Sequence, residues 1–577
     1  LTTVRTLPRF IGLLQVDSTV GNLTGNASRI ERLASIAKEH GAAMAVSTEL
    51  AISGYPPRDL LLQPDFINMS FDRATSLSVE IPVLVGTPVP TEDSRSLPAN
   101  GVVRAGLLNA QPNGENTNRI VAKKQLLPSY DVFDEKRYFR SAENSSILSF
   151  NFQKKLWKIG ITICEDIWVE QNLQNEKILG KDPLKSLENE KLDLLINLSA
   201  SPFIESKSLI RQRIAAKAAM RLSCPVIYVN QVGGNDELIF DGSSFALNKE
   251  GELKQELPSF KESVGLCDIS SLKQQPSILS KYPTSQEVIF RALVLGVKDY
   301  ARKCNFHSAV IGLSGGIDSA LVATIAVAAL GISKVHAILM PSPWSSAGSV
   351  KDATTLANRL GINHQKIPIS DVMNSFNDVL SNSIWGIPTG ITAENLQSRI
   401  RGTILMAIAN QKKHLLLSTG NKSELAVGYC TLYGDMNGGL SVIGDLYKTS
   451  VFDLCDWIDS ESSSSCRNDF SLPEKGEIIS SEIRDKPPSA ELRPEQLDSD
   501  SLPEYSILDQ ILKGLIEQHL PTEVLIEKGF DKKIVHKVAN LLKNAEFKRY
   551  QAPPLLKISN QAFGSGWKKP IASGQIL

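Results

Sequence analysis

Apolar residues in the first half of the chain form short runs that alternate with longer amphipathic stretches. Runs rich in Val, Ile and Leu predict strands at 10–15, 44–48, 83–86, 158–164, 194–198 and 226–230. Apolar residues at helical spacing predict helices at 30–40 and 204–222. A polar stretch over 265–285, containing SSLKQQPS and KYPTSQ, then predicts a connector between domains.

The second half repeats the alternation with a different composition. Strands are predicted at 309–313, 335–340 and 415–418, with helical stretches between them. Such an order predicts right-handed crossovers and a parallel sheet. Residues 459–505 are rich in Ser, Pro and charge, and predict a long surface loop.

Composition narrows the class of protein. A chain of 577 residues is too long for one core and predicts two large domains. Lys plus Arg and Asp plus Glu each total 62, so no global charge favours nucleic acid or an anionic membrane, and no apolar run is long enough to cross a bilayer. The seven cysteines are scattered without a CxxC pair, which argues against a disulfide scaffold or zinc cluster and indicates a cytoplasmic protein.

The most informative segment of the second half is AVIGLSGGIDSALVA at 309–323. An apolar strand leads into a glycine-containing turn and then a helix, which brings backbone N–H groups and a helix N-terminus to one place. Asp318 is unsuited to direct phosphate contact, but its hard oxygens suit magnesium. The absence of GxxxxGK excludes a Walker A loop. SGGxDS resembles the loop of the ATP pyrophosphatases, which cleave ATP to AMP and pyrophosphate.

Further motifs distinguish the members of that family. The segments ENLQSRIRG (394–402), STGNKSELAVGYCTLYGD (418–435), GDLYKTSVFDL (444–454), PPSAELRP (487–494) and FKRYQAPP (547–554) resemble NAD synthetases, in order, over nearly all of 285–575. The resemblance implies that the loop of Ser314, Gly315, Gly316, Ile317, Asp318 and Ser319 holds the ATP phosphates, with Asp318 and Glu424 as magnesium ligands. It also implies further ATP contacts at Thr419 and Lys448, and contacts to deamido-NAD at Arg399 and Lys548. Without the resemblance, Arg399, Glu424, Lys448 and Lys548 would be interpreted as solvated surface charges.

The first half carries a candidate nucleophile. KIGITICEDIW (158–168) is an apolar strand that ends at Cys164 and is followed by two acids, which raise the pKa of a thiol unless they point away. A strand-end cysteine of this kind is equally well interpreted as a core residue or as a nucleophile. The residues of this segment alone do not decide between the two interpretations.

Other segments favour the nucleophile. STELAISGYPPRDLL (47–61), VAKKQLLPSYDVFDEKRYF (121–139), NLSASPFIESK (197–207) and YVNQVGGNDELIFDGSSF (228–245) resemble the glutaminase domain of the carbon–nitrogen hydrolase, or nitrilase, superfamily. The resemblance implies a catalytic triad of Glu49, Lys124 and Cys164, and glutamine contacts at Tyr130, Ser201 and Lys207. The segment STEL replaces the commoner FPEL, and Trp344 replaces a usual Tyr, but no catalytic residue is lost.

Together these features predict an α/β protein with a glutaminase domain at 1–265, a linker at 266–285 and an ATP-dependent domain at 286–577. The first should be an α-β-β-α nitrilase-type sandwich, and the second a doubly wound parallel sheet with ATP at the carboxyl ends of its strands. The expected reaction converts deamido-NAD, ATP and glutamine to NAD, AMP, pyrophosphate and glutamate, with Mg²⁺ as cofactor. By resemblance, a homodimer or a larger assembly of dimers is expected.

Two alternative functions remain to be weighed. Another amidotransferase of the ATP pyrophosphatase family, such as one that makes GMP, is disfavoured by Arg399, GNKSELAVGY and FKRYQAPP. A nucleotide-binding regulatory protein without turnover would not be expected to retain Glu49, Lys124, Cys164, Asp318 and Glu424 together.

Overall fold

The computed structural model describes residues 10–91, 96–106, 119–152, 155–168, 180–268, 272, 284–381, 383 and 386–574. The chain divides into two compact units, Leu1–Tyr282 and Pro283–Leu577. Most of the connector predicted at 265–285 lies outside the described residues.

The described part of the first unit contains two six-stranded sheets and a hairpin. Its strands are β1 (Phe10–Gln15), β2 (Ala42–Val46), β3 (Val83–Val89), β4 (Ala99–Ala105), β5 (Ile120–Lys123), β6 (Ser146–Phe152), β7 (Lys155–Ile163), β8 (Leu194–Ser199), β9 (Val226–Asn230), β10 (Val232–Asn235), β11 (Leu238–Asp241), β12 (Phe245–Leu247), β13 (Leu253–Glu256) and β14 (Ser263–Cys267). Its helices are α1 (Leu23–Glu39), α2 (Pro64–Thr75), α3 (Glu135–Tyr138) and α4 (Lys207–Leu222). The sheet orders are β14-β1-β2-β3-β4-β5 and β13-β12-β9-β8-β7-β6, and β10 pairs with β11.

Alternating side chains place these sheets face to face. Leu13 of β1 packs in a core shared with Ile161 and Ile196 of the second sheet, whereas Leu14 packs against α1. On the far side, Leu195 of β8 packs against α4. Because successive strand residues point to opposite faces, each central strand is apolar on both sides. The predicted α-β-β-α sandwich is therefore confirmed.

The second unit is built on a five-stranded sheet of order β17-β16-β15-β18-β19, in which every pair is parallel. Its strands are β15 (Ala309–Gly312), β16 (Val335–Leu339), β17 (Asn363–Lys366), β18 (Leu415–Ser418) and β19 (Leu440–Ser441). Its helices are α5 (Ser285–Lys303), α6 (Ile317–Leu330), α7 (Ala347–Leu360), α8 (Ser370–Ser381), α9 (Ile391–Lys412), α10 (Lys422–Val427), α11 (Lys448–Asp459), α12 (Ser464–Asp469), α13 (Ser481–Arg484), α14 (Tyr505–Ile516), α15 (Thr522–Glu527), α16 (Lys532–Asn544) and α17 (Glu546–Arg549).

The strand order reverses between β15 and β18, so the connections from these neighbours run in opposite directions. A crevice forms at such a switch point, at the carboxyl ends of the strands. The loops after β15 and β18 lead into α6 and α10, whose first turns carry Asp318 and Glu424. The predicted doubly wound parallel sheet is confirmed.

The segment 459–505 departs from its prediction as a surface loop. It contains α12 and α13, and Ile478, Ile479 and Ile483 are fully or nearly fully buried. The Asp459 carboxylate accepts hydrogen bonds from the backbone N–H groups of Ile478, Ile479 and Ser480, with a closest distance of 2.7 Å. Most of the segment lies at the surface, as predicted, but the prediction of a loop without core residues was wrong, because internal capping satisfies polar groups that composition alone would assign to solvent.

Candidate active sites

The first unit buries a lysine between two carboxylates. The Lys124 amino group lies 2.8 Å from Glu49 Oε1 and 2.8 Å from Glu135 Oε2, and neither Lys124 nor Glu49 is more than 1% exposed. Asn100 Nδ2 and the backbone N–H of Ala200 also donate to Glu49, at 2.7 and 2.9 Å. The Glu49 carboxylate is therefore fixed in orientation by contacts to both of its oxygens.

The charged groups of this cluster change one another's pKa values. Burial raises the pKa of Glu135 to about 8, against the opposing charge of Lys124. Burial acts to lower the pKa of Lys124, but the carboxylates of Glu135 and Glu49 outweigh it, so that this pKa is raised. Lys124 is consequently a permanent cation inside the unit.

Cys164 begins a tight turn directly after β7. Its φ is +47°, a left-handed conformation that is uncommon for a residue with a Cβ and is often found at active sites. The thiol is buried, and burial followed by the charge of Glu49 raises its pKa, while Lys124 opposes the shift. The raised pKa favours the neutral thiol, which needs a base in order to react.

The two acids that follow Cys164 have separate partners. Asp166 accepts hydrogen bonds from the backbone N–H groups of Gln125, Leu126 and Ile163 at 2.8–3.0 Å, which ties this turn to the segment after Lys124. Glu165 accepts a hydrogen bond from the Tyr130 hydroxyl. The Asp166 carboxylate is therefore occupied in holding the turn.

The three residues predicted to contact glutamine lie around this cluster. Tyr130 is tied to Glu165, and the Lys207 amino group lies 5.7 Å from the ring centroids of both Phe133 and Trp168. The backbone N–H of Ser201 donates to Asn230 at 2.9 Å. Ser201 follows Ala200, whose N–H contacts Glu49.

In the second unit, the loop after β15 has a conformation that requires glycine. Gly315 has a φ of +86°, and a Cβ there would lie 2.2 Å from the Ser349 carbonyl oxygen. The Ser314 and Ser319 hydroxyls are 3.1 Å apart, and Ser314 Oγ accepts from the Gly316 N–H at 3.1 Å. The loop thus leads directly into the N-terminus of α6, an arrangement suited to an anion.

Asp318 and Glu424 converge on Lys448. The Lys448 amino group contacts Asp318, and it lies 3.6 Å from Glu424 Oε1. Asn421 bridges the two loops, because its Nδ2 donates to Asp318 at 2.9 Å while its Oδ1 accepts from the Glu424 N–H at 3.0 Å. Burial and then the charge of Asp318 raise the pKa of Glu424 to about 8. The site is therefore rich in negative charge that a cation would relieve.

These groups line a cavity of about 320 Å³ at the switch point. Its wall includes the whole predicted phosphate loop, together with Thr419, Lys448 and the apolar side chains of Met340, Leu405 and Leu417. A lining that combines a phosphate-type loop, charged groups and apolar side chains suits the phosphates and base of a nucleotide.

Arg399 and Lys548, predicted to hold the dinucleotide, lie together beside the cavity. Arg399 Nε donates to the Leu432 carbonyl at 3.2 Å, and Lys548 Nζ donates to the carbonyls of Gly428 and Cys430 at 2.7 Å each. Both therefore contact the segment 428–432, which follows α10. Cys430 of that segment lines the cavity wall, whereas Arg399 and Lys548 do not.

Four residues of the two sites were not identified from the sequence. Glu135 stands within the quoted VAKKQLLPSYDVFDEKRYF, but no periodicity indicates that it pairs with Lys124. Asn100 lies on β4, outside every motif. Arg401, whose pKa burial lowers to about 10, and Lys486 also line the cavity. Lys486 comes from the segment predicted as a surface loop, directly before PPSAELRP.

Comparison with known protein families matches a different family to each of the two regions that carry these sites. Residues 10–275 match the carbon–nitrogen hydrolase family and residues 289–552 the NAD synthase family. The chain is thus an enzyme that joins a carbon–nitrogen hydrolase domain to an NAD synthase domain.

Full-length relatives define the family further. A glutamine-dependent NAD(+) synthetase of Synechocystis sp. is 46% identical, over 97% of this chain and 98% of its own. One from Thermotoga maritima is 37% identical, over 98% of each chain. The structure of the Acinetobacter baumannii glutamine-dependent NAD+ synthetase in complex with ADP superimposes with a TM-score of 0.72 at 35% identity, covering 98% of this chain and 99% of its own. The chain belongs to the glutamine-dependent NAD(+) synthetases.

Proposed function

We propose that this enzyme makes NAD by amidating deamido-NAD, with the domain at 1–265 releasing ammonia from glutamine and the domain at 286–577 using ATP to activate the acceptor. The observation that carries the proposal is the pairing of two buried sites in one chain. One has a neutral thiol near a fixed carboxylate and a buried cation, and the other has a phosphate-type loop with two converging carboxylates.

In the glutaminase domain, Cys164 Sγ attacks the carboxamide carbon of glutamine. Glu49 takes the thiol proton, which suits a carboxylate that is fixed beside a thiol of raised pKa. The cationic amino group of Lys124 stabilises the tetrahedral oxyanion. The C–N bond then breaks, ammonia leaves with the proton from Glu49, and water hydrolyses the glutamyl thioester. Tyr130, Ser201 and Lys207 hold the amino-acid part of glutamine.

In the second domain, the nicotinate carboxylate attacks the α-phosphorus of ATP, which gives an acyl-adenylate and pyrophosphate. The loop Ser314–Ser319, Thr419 and Lys448, which line the cavity, hold ATP, and the solved relative in complex with ADP supports binding of an adenine nucleotide by this enzyme. Ammonia attacks the acyl carbon and AMP leaves. Arg399 and Lys548, which both contact the segment 428–432, hold the anionic dinucleotide.

Asp318 and Glu424 fit a Mg²⁺ ion. Among the described residues, no group of three or more His, Cys, Asp or Glu has metal-binding geometry. Two carboxylates nevertheless suit magnesium, which usually keeps several waters and shares phosphate oxygens. The raised pKa of Glu424 reports the crowding of negative charge that such an ion would neutralise. When bound, the ion would supply charge neutralisation for the departing pyrophosphate.

The test is incubation with deamido-NAD, ATP, magnesium and glutamine, with NAD, AMP and glutamate measured together. Equal amounts of the three products are expected. Asp318→Ala should abolish NAD formation while glutamine hydrolysis remains detectable, because the carboxylate serves only adenylation. GMP formation from xanthosine monophosphate in a parallel reaction, without NAD from deamido-NAD, would refute the substrate. Binding of ATP without any turnover would favour a regulatory protein.

We also propose that the enzyme assembles through α8 and α9 as a homodimer or larger assembly of dimers. Val372, Phe376 and Val379 follow helical spacing along α8 and are 39%, 42% and 72% exposed, and Ile391 at the start of α9 is 74% exposed. An exposed apolar stripe of this kind is typical of an interface. Val379→Glu should lower the mass measured by light scattering, whereas Leu156→Glu, at an exposed apolar residue of the other domain, should not. An unchanged mass for Val379→Glu would contradict this interface.

In the described part of the chain, no helix is long and apolar enough to cross a membrane. None of the seven cysteines, all of which lie among the described residues, forms a disulfide, which supports the proposal of a reducing cytoplasmic environment.

A further inference from the structure

A lysine next to the proposed metal site is buried among four oxygens. Lys422 Nζ lies 3.0 Å from Asp445 Oδ1, 3.1 Å from Glu517 Oε1, 2.7 Å from Ser559 Oγ and 2.9 Å from the Gln561 carbonyl. Its side chain is fully buried and its amino group lies 4.6 Å from the centroid of the Tyr447 ring. A lysine donates three hydrogen bonds, so this amino group is saturated and is not a group that waits for a ligand.

The backbone of Lys422 belongs to the turn that carries the metal site. Lys422 is the first residue of α10 and lies between Asn421, which contacts Asp318, and Glu424. Its own N–H donates to the Leu446 carbonyl at 2.8 Å, two residues before Lys448. The backbone of Lys422 is therefore linked to three charged groups of the cavity, Asp318, Glu424 and Lys448.

The oxygens around Lys422 come from distant parts of the second unit. Asp445 accepts from the backbone N–H groups of Ile558 and Ser559 at 2.8 and 2.7 Å, so one carboxylate holds both the lysine and the C-terminal segment. Glu517 follows α14. None of Asp445, Glu517 and Ser559 lines the cavity. The lysine thus joins the turn at 421–424 to a frame that stands outside the nucleotide site.

We propose that Lys422 is a positioning residue for the carboxylate pair Asp318 and Glu424, and that the cluster of Lys422, Asp445, Glu517 and Ser559 sets the affinity of that pair for Mg²⁺. The inference rests on the proposed adenylation function of this site. Asn421 and Glu424 cap each other across the first turn of α10, so a shift of Lys422 moves both of them. Groups that orient metal ligands without touching the metal change its affinity by about 10- to 100-fold when they are removed.

The test is Lys422→Met, which keeps the length of the side chain and removes its charge. The measurements are the dissociation constant of Mg²⁺ for the enzyme alone, by titration calorimetry, and the Mg²⁺ concentration for half-maximal NAD synthesis from deamido-NAD, ATP and ammonium chloride. An increase of about 10-fold or more is expected. Glutamine hydrolysis, which takes place in the other unit, should be unchanged, and an unchanged rate of NAD synthesis at saturating Mg²⁺ reports that the second unit is folded.

Arg467→Met is the matched control. Arg467 is also a buried cation and donates to the carbonyls of Pro473 and Gly476 at 2.6 and 2.9 Å, but these partners lie outside α10 and outside the cluster around Lys422. Its loss should lower thermal stability without changing the Mg²⁺ dependence. Equal shifts in both variants, or a wild-type Mg²⁺ dependence in Lys422→Met, would overturn the proposal.

Glu517→Gln tests the same cluster should Lys422→Met fail to fold. It weakens one contact to Lys422 and changes no residue of the cavity wall, and a smaller increase in the Mg²⁺ requirement is expected. An unchanged requirement would overturn the proposal.

Wild-type enzyme and Glu424→Gln are measured alongside. If wild type made no NAD, or if Glu424→Gln kept wild-type Mg²⁺ dependence, the proposed adenylation site would fail independently of the role of Lys422.

Discussion

Replacing Cys164 with Ala should separate the two reactions. The variant should lose NAD synthesis with glutamine and keep synthesis with ammonium salts, because the thiol is needed only to form the glutamyl thioester. The adenylation residues all belong to the other compact unit, so the acyl-adenylate should react with ammonia from any source.

The structure indicates how much free energy of unfolding Cys164→Ala should cost. A buried cysteine packs as a small apolar group, so losing its sulfur should cost about 1 kcal/mol, similar to Ile→Val in a core. The positive φ of residue 164 gives no further difference, because Cys and Ala both carry a Cβ. A change of about 1 kcal/mol lowers Tm by roughly 2–4 °C in a domain of this size. Loss of the nucleophile should instead reduce the glutamine-dependent rate by on the order of 10³-fold or more, or about 4 kcal/mol.

The assay measures NAD from glutamine and, separately, from ammonium chloride at several pH values. Ammonia-dependent synthesis should rise by nearly tenfold per pH unit below the pKa of ammonium, because free ammonia is the nucleophile. Cys224→Ala is the control, since Cys224 is buried in the same unit and burial raises its pKa to about 12, and it should keep both activities. Substantial glutamine-dependent activity in Cys164→Ala would remove this residue as nucleophile. Loss of both activities in a folded protein that binds ATP would refute separable sites.

Two further predictions concern the second domain. Lys548→Ala should raise KM for deamido-NAD about tenfold, as for loss of a charge-assisted contact, and change KM for ATP and glutamine far less; equal effects on all three would indicate a structural lesion. Mg²⁺ should bind more tightly as pH rises, because the ion competes with a proton on Glu424, whose pKa is raised to about 8. The half-maximal Mg²⁺ concentration for pyrophosphate release should therefore fall by up to about tenfold per unit below pH 8 and level off above it. A constant value between pH 6.5 and 9 would contradict the assignment of Glu424.

The central strands were predictable because each is buried on both faces. Phe10–Gln15, Val226–Asn230 and Leu415–Ser418 have the predicted bounds, since uninterrupted β-branched and aliphatic runs leave no alternative. The strands Ala99–Ala105 and Ser146–Phe152 were not predicted although each is seven residues long, because their polar positions weaken the pattern and pairing to a neighbour supplies the stability. The helix predicted at 204–222 begins at Lys207, because Ser206 has a φ of +67°.

The candidate sites were predictable only where function is concentrated in a short motif. Ser314–Ser319 lie together because one turn contains them. Glu135 and Lys486 reach their sites through tertiary contacts to Lys124 and Asp352, and no local spacing indicates those pairs. Partners that are separated widely in sequence and have no motif are set by the fold, and a single sequence does not reveal them.

The two sites share one electrostatic arrangement that serves different chemistry. In each, a buried lysine stands between two carboxylates: Lys124 between Glu49 and Glu135, and Lys448 between Asp318 and Glu424. In the glutaminase domain both carboxylates are held by additional donors from Asn100, Ala200 and Tyr55, so the lysine keeps its place while a neutral substrate enters. In the other site the substrate itself brings a triphosphate and a cation. We therefore expect Mg²⁺ to replace the Lys448 amino group beside Asp318 and Glu424, and the amino group to contact phosphate oxygens instead. Binding of ATP and binding of Mg²⁺ then each favour the other.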